Sequence, residues 1–330
     1  MTSPTSTLRP LGIGELMDRS VRVWRAHLWP LTRAMLPYAL VGHVLLQVLV
    51  SGLLEPQLAA LSPDGSGGDP LVLLGTLASM AGGFCLYGLV TWMGYVAVSR
   101  SGLPMVLGSD AAGLPGELPR GFPLARAAGL YAIVLAVLAL VMALSFLPVV
   151  GLAFGAAMLN VSGSFATLAL TVAIVGVSML LMLGAMLWVM LRFLFAPQVL
   201  AAEQLGLWRT VRRTGSLISG RIGPGWMGLV GLRATILVTV MGAVLSSVQL
   251  LASMPMIGLQ LAFREAGSGR LSSETVPWAL RLPAEVVQIL SQSATGPLFV
   301  LFCVVFYVDM RVRREGLDLE LELARTKAAA

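Results

Sequence analysis

His43 and Gln47 stand one helical turn apart inside the first long apolar run of this 330-residue sequence. Glu285, Gln288, Gln292 and Thr295 follow a 3-4-3 spacing inside the last one. On a helix that spacing gathers the four on one face. A polar face among apolar helices can line a path for a solute, or it can hydrogen-bond a neighbouring helix. Spacing alone leaves both open. A second group is charged. Arg209, Arg212, Arg213 and Arg221 lie between two apolar runs, and Asp309, Arg311, Arg313, Arg314, Glu315 and Asp318 follow directly on the last run. The first four arginines suit anionic lipid headgroups, each contact contributing roughly 1 kcal/mol near such a surface, or a protein partner on the same face. The alternating signs after the last run suit ion pairs. An unpaired carboxylate at Asp309, where the chain leaves hydrocarbon, is unfavourable. Its expected partner is Arg313 or an arginine of the neighbouring cytoplasmic segments; a pair from Asp309 or Glu315 to the 192–221 segment would clasp that segment to the last span, and the alternative is a solvated helix with only local i,i+4 pairs.

Catalytic signatures are missing. The sequence holds no HExxH, P-loop, G-x-S-x-G or CxxC pattern. Of the two histidines, only His43 lies in an apolar run, so a membrane-embedded Ser–His pair has little to draw on. Gly67-Gly68-Asp69 falls in a connecting loop with no second aspartate in a span. Cys85 and Cys303 sit in apolar runs without metal-ligand spacing and read as small buried hydrophobes. No enzyme, cofactor or metal is expected.

The elements that hold these residues follow from composition. With 57% hydrophobic and 12% charged residues, the chain has about half the charge of a soluble domain. Its expected class is all-α, a polytopic membrane protein forming one domain over 1–330. Apolar runs place six spans at about 31–54, 70–99, 127–148, 166–191, 226–251 and 285–308. The 65 residues between Arg126 and Arg192 carry no charge. As one helix they would extend about 98 Å, so they must fold back, with Pro148, Gly151, Gly155, Asn160 and Ser162 to Ser164 as the expected break. Residues 253–282 read as a polar connection. Arg233, near the start of the fifth span, is expected to snorkel to the interface.

Two amphipathic stretches flank the spans. Over 12–28, Ile13, Leu16, Met17, Ser20, Trp24 and Leu28 form one stripe, with Glu15–Arg19 and Asp18–Arg22 in favourable i,i+4 order opposite. Over 200–220, Leu200, Gln204, Leu207, Val211, Thr214 and Ile218 form another, with the arginines mostly off it. Both are expected as basic interfacial helices, and 309–330 as a charged tail. The net charge of +6 comes from 21 arginines and one lysine. Because these cluster at the ends of apolar runs, they argue for membrane topology and against nucleic acid. Seventeen fall in the segments 1–27, 100–126, 192–225 and 309–330, and three in the alternate segments. By the positive-inside rule both termini are cytoplasmic. No cleavable signal peptide is expected, since residues 1–27 lack an apolar core. A basic segment precedes each of three hairpins, a pattern too weak in sequence to be counted as a repeat.

Three stretches carry a resemblance: RPLGIGELMDRSVRVWRAHLWPL, PQVLAAEQLGLWRTVRRTGSLISGR and YVDMRVRREGLDLEL. They resemble bacterial integral membrane proteins related to the membrane domain of glycerophosphoryl diester phosphodiesterases. The third is the most specific, an aromatic-x-Asp-x-Arg-x-Arg-x-Glu-Gly run directly after the last span. The resemblance covers nearly the whole chain and implies six transmembrane helices in the bacterial cytoplasmic membrane. It does not imply phosphodiesterase activity, because the family's catalytic part is a separate barrel after the membrane domain, and only the tail 309–330 follows here. The expected function is a non-catalytic scaffold assisting a membrane partner or lipid process. The alternative is a small-solute or lipid permease built on the polar faces of the spans.

Overall fold

The computed structural model describes residues 10–50, 52, 70–108, 124–158, 165–203, 205–222, 228–263 and 276–317, without the side chains of 70–74, 76, 77, 152–158 and 165–168. Nine helices form among them: α1 (Ile13–Ala26), α2 (Leu28–Leu49), α3 (Pro70–Leu107), α4 (Leu124–Met158), α5 (Phe165–Arg192), α6 (Ala196–Ala202), α7 (Leu207–Ile218), α8 (Val230–Ala262) and α9 (Trp278–Glu315). No strand forms among the described residues, beyond one isolated bridge between Arg221 and Leu229. The fold is all-α, with six helices long and apolar enough to cross a membrane: α2, α3, α4, α5 continuing into α6, α8 and α9.

The helix ends follow local chemistry. At the start of α1, the Gly12 N–H donates to Glu15 Oε2 at 2.8 Å, a capping contact. At the end of α9, Gly316 adopts φ 65° and its N–H donates to Val312 O at 3.2 Å. A left-handed residue in that position satisfies a terminal carbonyl and favours glycine. The amphipathic stretch 200–220 is not one helix. It breaks after Ala202, and α7 restarts behind the extended Gly206. Pro148 and Pro255 lie inside α4 and α8, which continue to Met158 and Ala262. Pro148 is therefore no break, and Asn160 to Ser164 fall outside the described residues. The polar connection expected at 253–282 is shorter at both ends, and Arg281 belongs to α9.

The longest departure is α9. Its 38 residues extend about 57 Å, nearly twice the hydrocarbon thickness. Exposed apolar side chains on it end at Leu290, whereas nearly every residue from Leu298 to Val312 is buried. Of its most apolar window 56% is buried, against 6% for α4. The far half of α9 is therefore sheathed by protein. α1, the end of α3, α6, α7 and the start of α8 form this collar, with Leu16, Leu107, Phe195, Leu217 and Leu237 around Phe302, Phe306 and Tyr307. Phe195 meets Phe306 edge-on with centroids 5.1 Å apart. A smaller core joins Met93 and Val96 of α3 to Ala127 and Leu130 of α4 and to Val189 and Phe193.

α1 and α2 run in succession along α9. Leu11, just before α1, touches Asp309, Trp24 donates from Nε1 to Ala294 O at 2.8 Å, and His43 faces Glu285. α1 is thus built into the bundle along one face. Pro297 has no N–H, so the Ser293 carbonyl of α9 loses its helical donor. Glycines allow the closest approaches. A Cβ at Gly94 would stand 2.9 Å from Met35 Sδ, and one at Gly102 would stand 2.7 Å from Leu301 Cδ2.

Candidate functional site

Several polar residues of the spans gather at one place. A cavity of about 540 Å³ lies between α2, α3, α5, α8 and α9. His43, Ser246, Gln249, Gln288, Gln292 and Thr295 supply its polar lining, with Tyr87 and Tyr95 from α3. Gly242 on α8 leaves room, since a Cβ there would meet no atom within 4 Å. One wall is fixed by the Gln249 amide, which donates to Thr295 Oγ1 at 2.9 Å. Thr295 Oγ1 in turn donates to Ser291 O at 2.7 Å.

Of the five residues expected to form a polar path, His43, Gln288 and Gln292 line the cavity. Gln47 and Glu285 stand beside it, drawn together by an arginine that sequence reasoning had placed in a loop. Arg281 Nη2 donates to Gln47 Oε1 at 2.6 Å, and its Nε pairs with Glu285 Oε1. His43 Nε2 lies 3.8 Å from Glu285 Oε2, within ion-pair range and too long for a hydrogen bond. It has no hydrogen-bond partner among the described residues. Arg281 and Glu285 neutralise each other, so the cavity's own lining offers hydrogen-bonding groups without an unpaired charge.

The second constellation closes the collar. The carboxylate of Asp309, with no exposed side-chain surface, accepts the Leu11 N–H at 2.7 Å and Arg313 Nε at 3.0 Å. Arg313 Nη2 and Arg233 Nη2 both donate to Leu11 O, at 2.7 and 2.6 Å. Arg233 Nη2 is also 3.7 Å from Asp309 Oδ2. Arg233 is buried at this junction and does not snorkel to a surface. Burial near Asp309 turns its one long side chain inward, toward a partner far away in sequence.

Next to it, Arg213 bridges two acids. Its Nε donates to Glu203 Oε2 at 3.0 Å and its Nη2 to Glu315 Oε2 at 2.7 Å. Tyr307 Oη donates to Glu203 Oε1 at 2.7 Å, and Arg311 Nε to Glu315 Oε2 at 3.0 Å. Burial works against the Arg213 charge, but the hydrogen bond and attraction of Glu315 and the attraction of Glu203 outweigh it and raise its pKa. A clasp therefore joins the basic segment to the last helix through Arg213 and Glu315. Asp309 takes no arginine of that segment and pairs with Arg313 and Arg233. Arg314 adds a third tie, donating to Ser216 O and Ser219 O at the end of α7, where cations complete unsatisfied carbonyls. On the other flank, Arg19 Nη2 donates to Val106 O at 2.9 Å near the end of α3. Burial, then repulsion from Arg22, lowers its pKa.

Arg209, Arg212 and Arg221 are exposed, as is Trp208 at 74%. The roles of Glu203, Tyr307, Arg233 and the Leu11 backbone in these networks do not follow from sequence spacing. Glu203 carries a signal as the single acid in a basic segment, Arg233 as a charge inside a span, and Tyr307 as the aromatic that opens the charged run. Among the described residues no three His, Cys, Asp or Glu side chains gather as metal ligands. No protein-family model, no curated protein and no solved structure matches this chain.

Proposed function

We propose that this chain is a non-catalytic membrane permease, which admits an uncharged, hydrogen-bonding group to the cavity between its spans and passes it across. One observation carries the reading: polar side chains from α2, α8 and α9 converge on a single cavity. His43 lies ten residues beyond Arg33, and Gln288 ten residues beyond Trp278. Each is thus about 15 Å along its helix from a residue suited to an interface, half of a ~30 Å hydrocarbon layer. Sites at the midplane are the common arrangement in secondary transporters. Scaffolding has less support, because Arg213, Arg233, Arg311, Arg313 and Arg314 are engaged within the chain. Arg209, Arg212 and Arg221 are proposed to rest on anionic headgroups, with Trp208 in the interface.

Proteoliposomes test the permease reading with two uncharged reporters. Erythritol entry is followed by light scattering, and leaflet exchange of a fluorescent alkyl glucoside by dithionite bleaching. At least one should move about tenfold faster than in protein-free vesicles, and Gln288→Leu with Gln292→Leu should abolish the gain. If neither reporter moves faster, the reading fails.

The basic bias favours a bacterial cytoplasmic membrane location with both termini inside, in keeping with the resemblance to phosphodiesterase-related membrane domains. A reporter fused after Ala330 should be active only if it is a type that works in the cytoplasm. Activity of a periplasmic type at that position would overturn the orientation.

A further inference from the structure

A second cavity of about 180 Å³ lies against the first, between α3, α4, α5, α6 and α9. Tyr95, Met190 and Phe299 line both, so the two cavities meet at these three side chains. The two differ in chemistry. The first is rich in amides and hydroxyls. The second is lined by Val134, Val189, Phe193 and other apolar groups, with Gln198 and the Trp92 indole N–H as exceptions.

Those exceptions point to a ligand. Gln198 is 3% exposed, and its Oε1 has no hydrogen-bond partner among the described residues. Trp92 Nε1 is buried and equally without one. A buried acceptor and a buried donor left unpaired each disfavour the fold by about 1–3 kcal/mol, so both in one small apolar cavity call for a group that satisfies them. A hydroxyl can accept from an indole N–H and donate to an amide oxygen, and a linkage oxygen can accept from the indole. An apolar protein cavity of about 150 Å³ holds benzene, so this one has room for a chain segment of roughly six to eight carbons.

We infer that the two cavities together hold one amphiphile. Its uncharged, hydroxyl-bearing head lies in the polar cavity, and a short chain segment carrying a hydroxyl or linkage oxygen lies in the apolar one. Tyr95 and Phe299, with ring centroids 6.3 Å apart, and Met190 stand where the two cavities meet, and in this assignment they lie against the junction of head and chain. This inference rests on the permease reading of the polar cavity and names its substrate class as a lipid-like molecule instead of a free polyol.

Photolabelling of the full chain in lipid nanodiscs tests it. The probes are octyl glucoside with a diazirine in the chain and the same molecule with an added chain hydroxyl. In the wild type, peptide mass spectrometry should place the label on Val134, Val189, Phe193 or Cys303. The hydroxylated probe should saturate at about tenfold lower concentration, and Gln198→Leu should erase that preference while the plain probe still labels. Label in the apolar cavity with equal saturation by both probes overturns the assignment of Gln198 and Trp92. Label confined to the polar cavity, or erythritol entry without any chain labelling, overturns the amphiphile and leaves the permease reading standing. Label only on exposed residues such as Leu180 and Leu183, together with no reporter movement, overturns both. The wild-type map decides the matter whether or not the variant folds, and the plain probe shows whether it has.

Discussion

Asp309→Asn should lower the stability of the detergent-solubilised protein by about 3 kcal/mol or more, the range for breaking a buried ion pair. Asparagine keeps the shape and can still accept the Leu11 N–H. It removes the charge that faces Arg313 at 3.0 Å and Arg233 at 3.7 Å. Arg233, with 11% of its side chain exposed, would then be a buried cation with only the Leu11 carbonyl for company. Arg313→Gln added to Asp309→Asn should cost less than it does alone, because their ion pair is already gone and only the Arg313 bond to Leu11 O remains to be lost. Arg213→Gln added to Asp309→Asn should contribute its full loss. An unchanged melting temperature for Asp309→Asn would show that the network does not hold the collar.

Arg213→Gln should cost about 2 kcal/mol. Hydrogen bonds to charged groups contribute roughly 1.5–3 kcal/mol, and solvent reduces that here, since 27% of the Arg213 side chain is exposed. Glu203 and Glu315 would lose their shared cation, leaving Glu315 to Arg311 and Glu203 to the Tyr307 hydroxyl. Thermal melts in low and high salt measure the loss, and high salt should narrow the gap between wild type and variant. Lipid content separates Arg213 from its neighbours. Arg209→Gln with Arg212→Gln should reduce co-purified anionic lipid without altering the melt, whereas Arg213→Gln should alter the melt and leave lipid alone. Equal lipid loss from both would mean that the Arg213 ion pairs yield to headgroups in a bilayer.

Long apolar runs with little or no charge made the six spans legible, and the 3-4-3 spacing disclosed the polar face of α9. Their limits were less legible, for physical reasons. Leu298–Val312 is the kind of run that reads as lipid-facing, yet protein encloses it. Hydropathy reports removal from water and cannot tell a lipid sheath from a protein one. The stripe from Leu200 to Ile218 has a helical period in sequence, yet one helix ends at Ala202 and the next starts at Leu207, and Ala196 to Ala201 are buried on every side. Prolines 148 and 255 leave α4 and α8 unbroken, as membrane helices tolerate them when neighbours satisfy the freed carbonyls. The clasp by Glu315 could be anticipated from alternating charge. The burial of Arg233 could not, since its backbone partner Leu11 is 222 residues away. The cavity pairs His43 with residues more than 200 positions later, and no local pattern announces such a meeting.

The tie between Leu11 and Asp309 spans 298 residues, and that separation has a consequence for biogenesis. At about 5–20 residues per second, a ribosome needs roughly 15–60 s to bring Asp309 out after Leu11. Throughout that interval α1 and α2 lack the helix along which they run, and Arg233, made earlier than Asp309, has no anion to meet. The nascent chain must therefore pass through a stage in which five spans are inserted and the collar is open. Premature termination before α9 would freeze it there, with an arginine and the apolar faces of six helices exposed to membrane quality control.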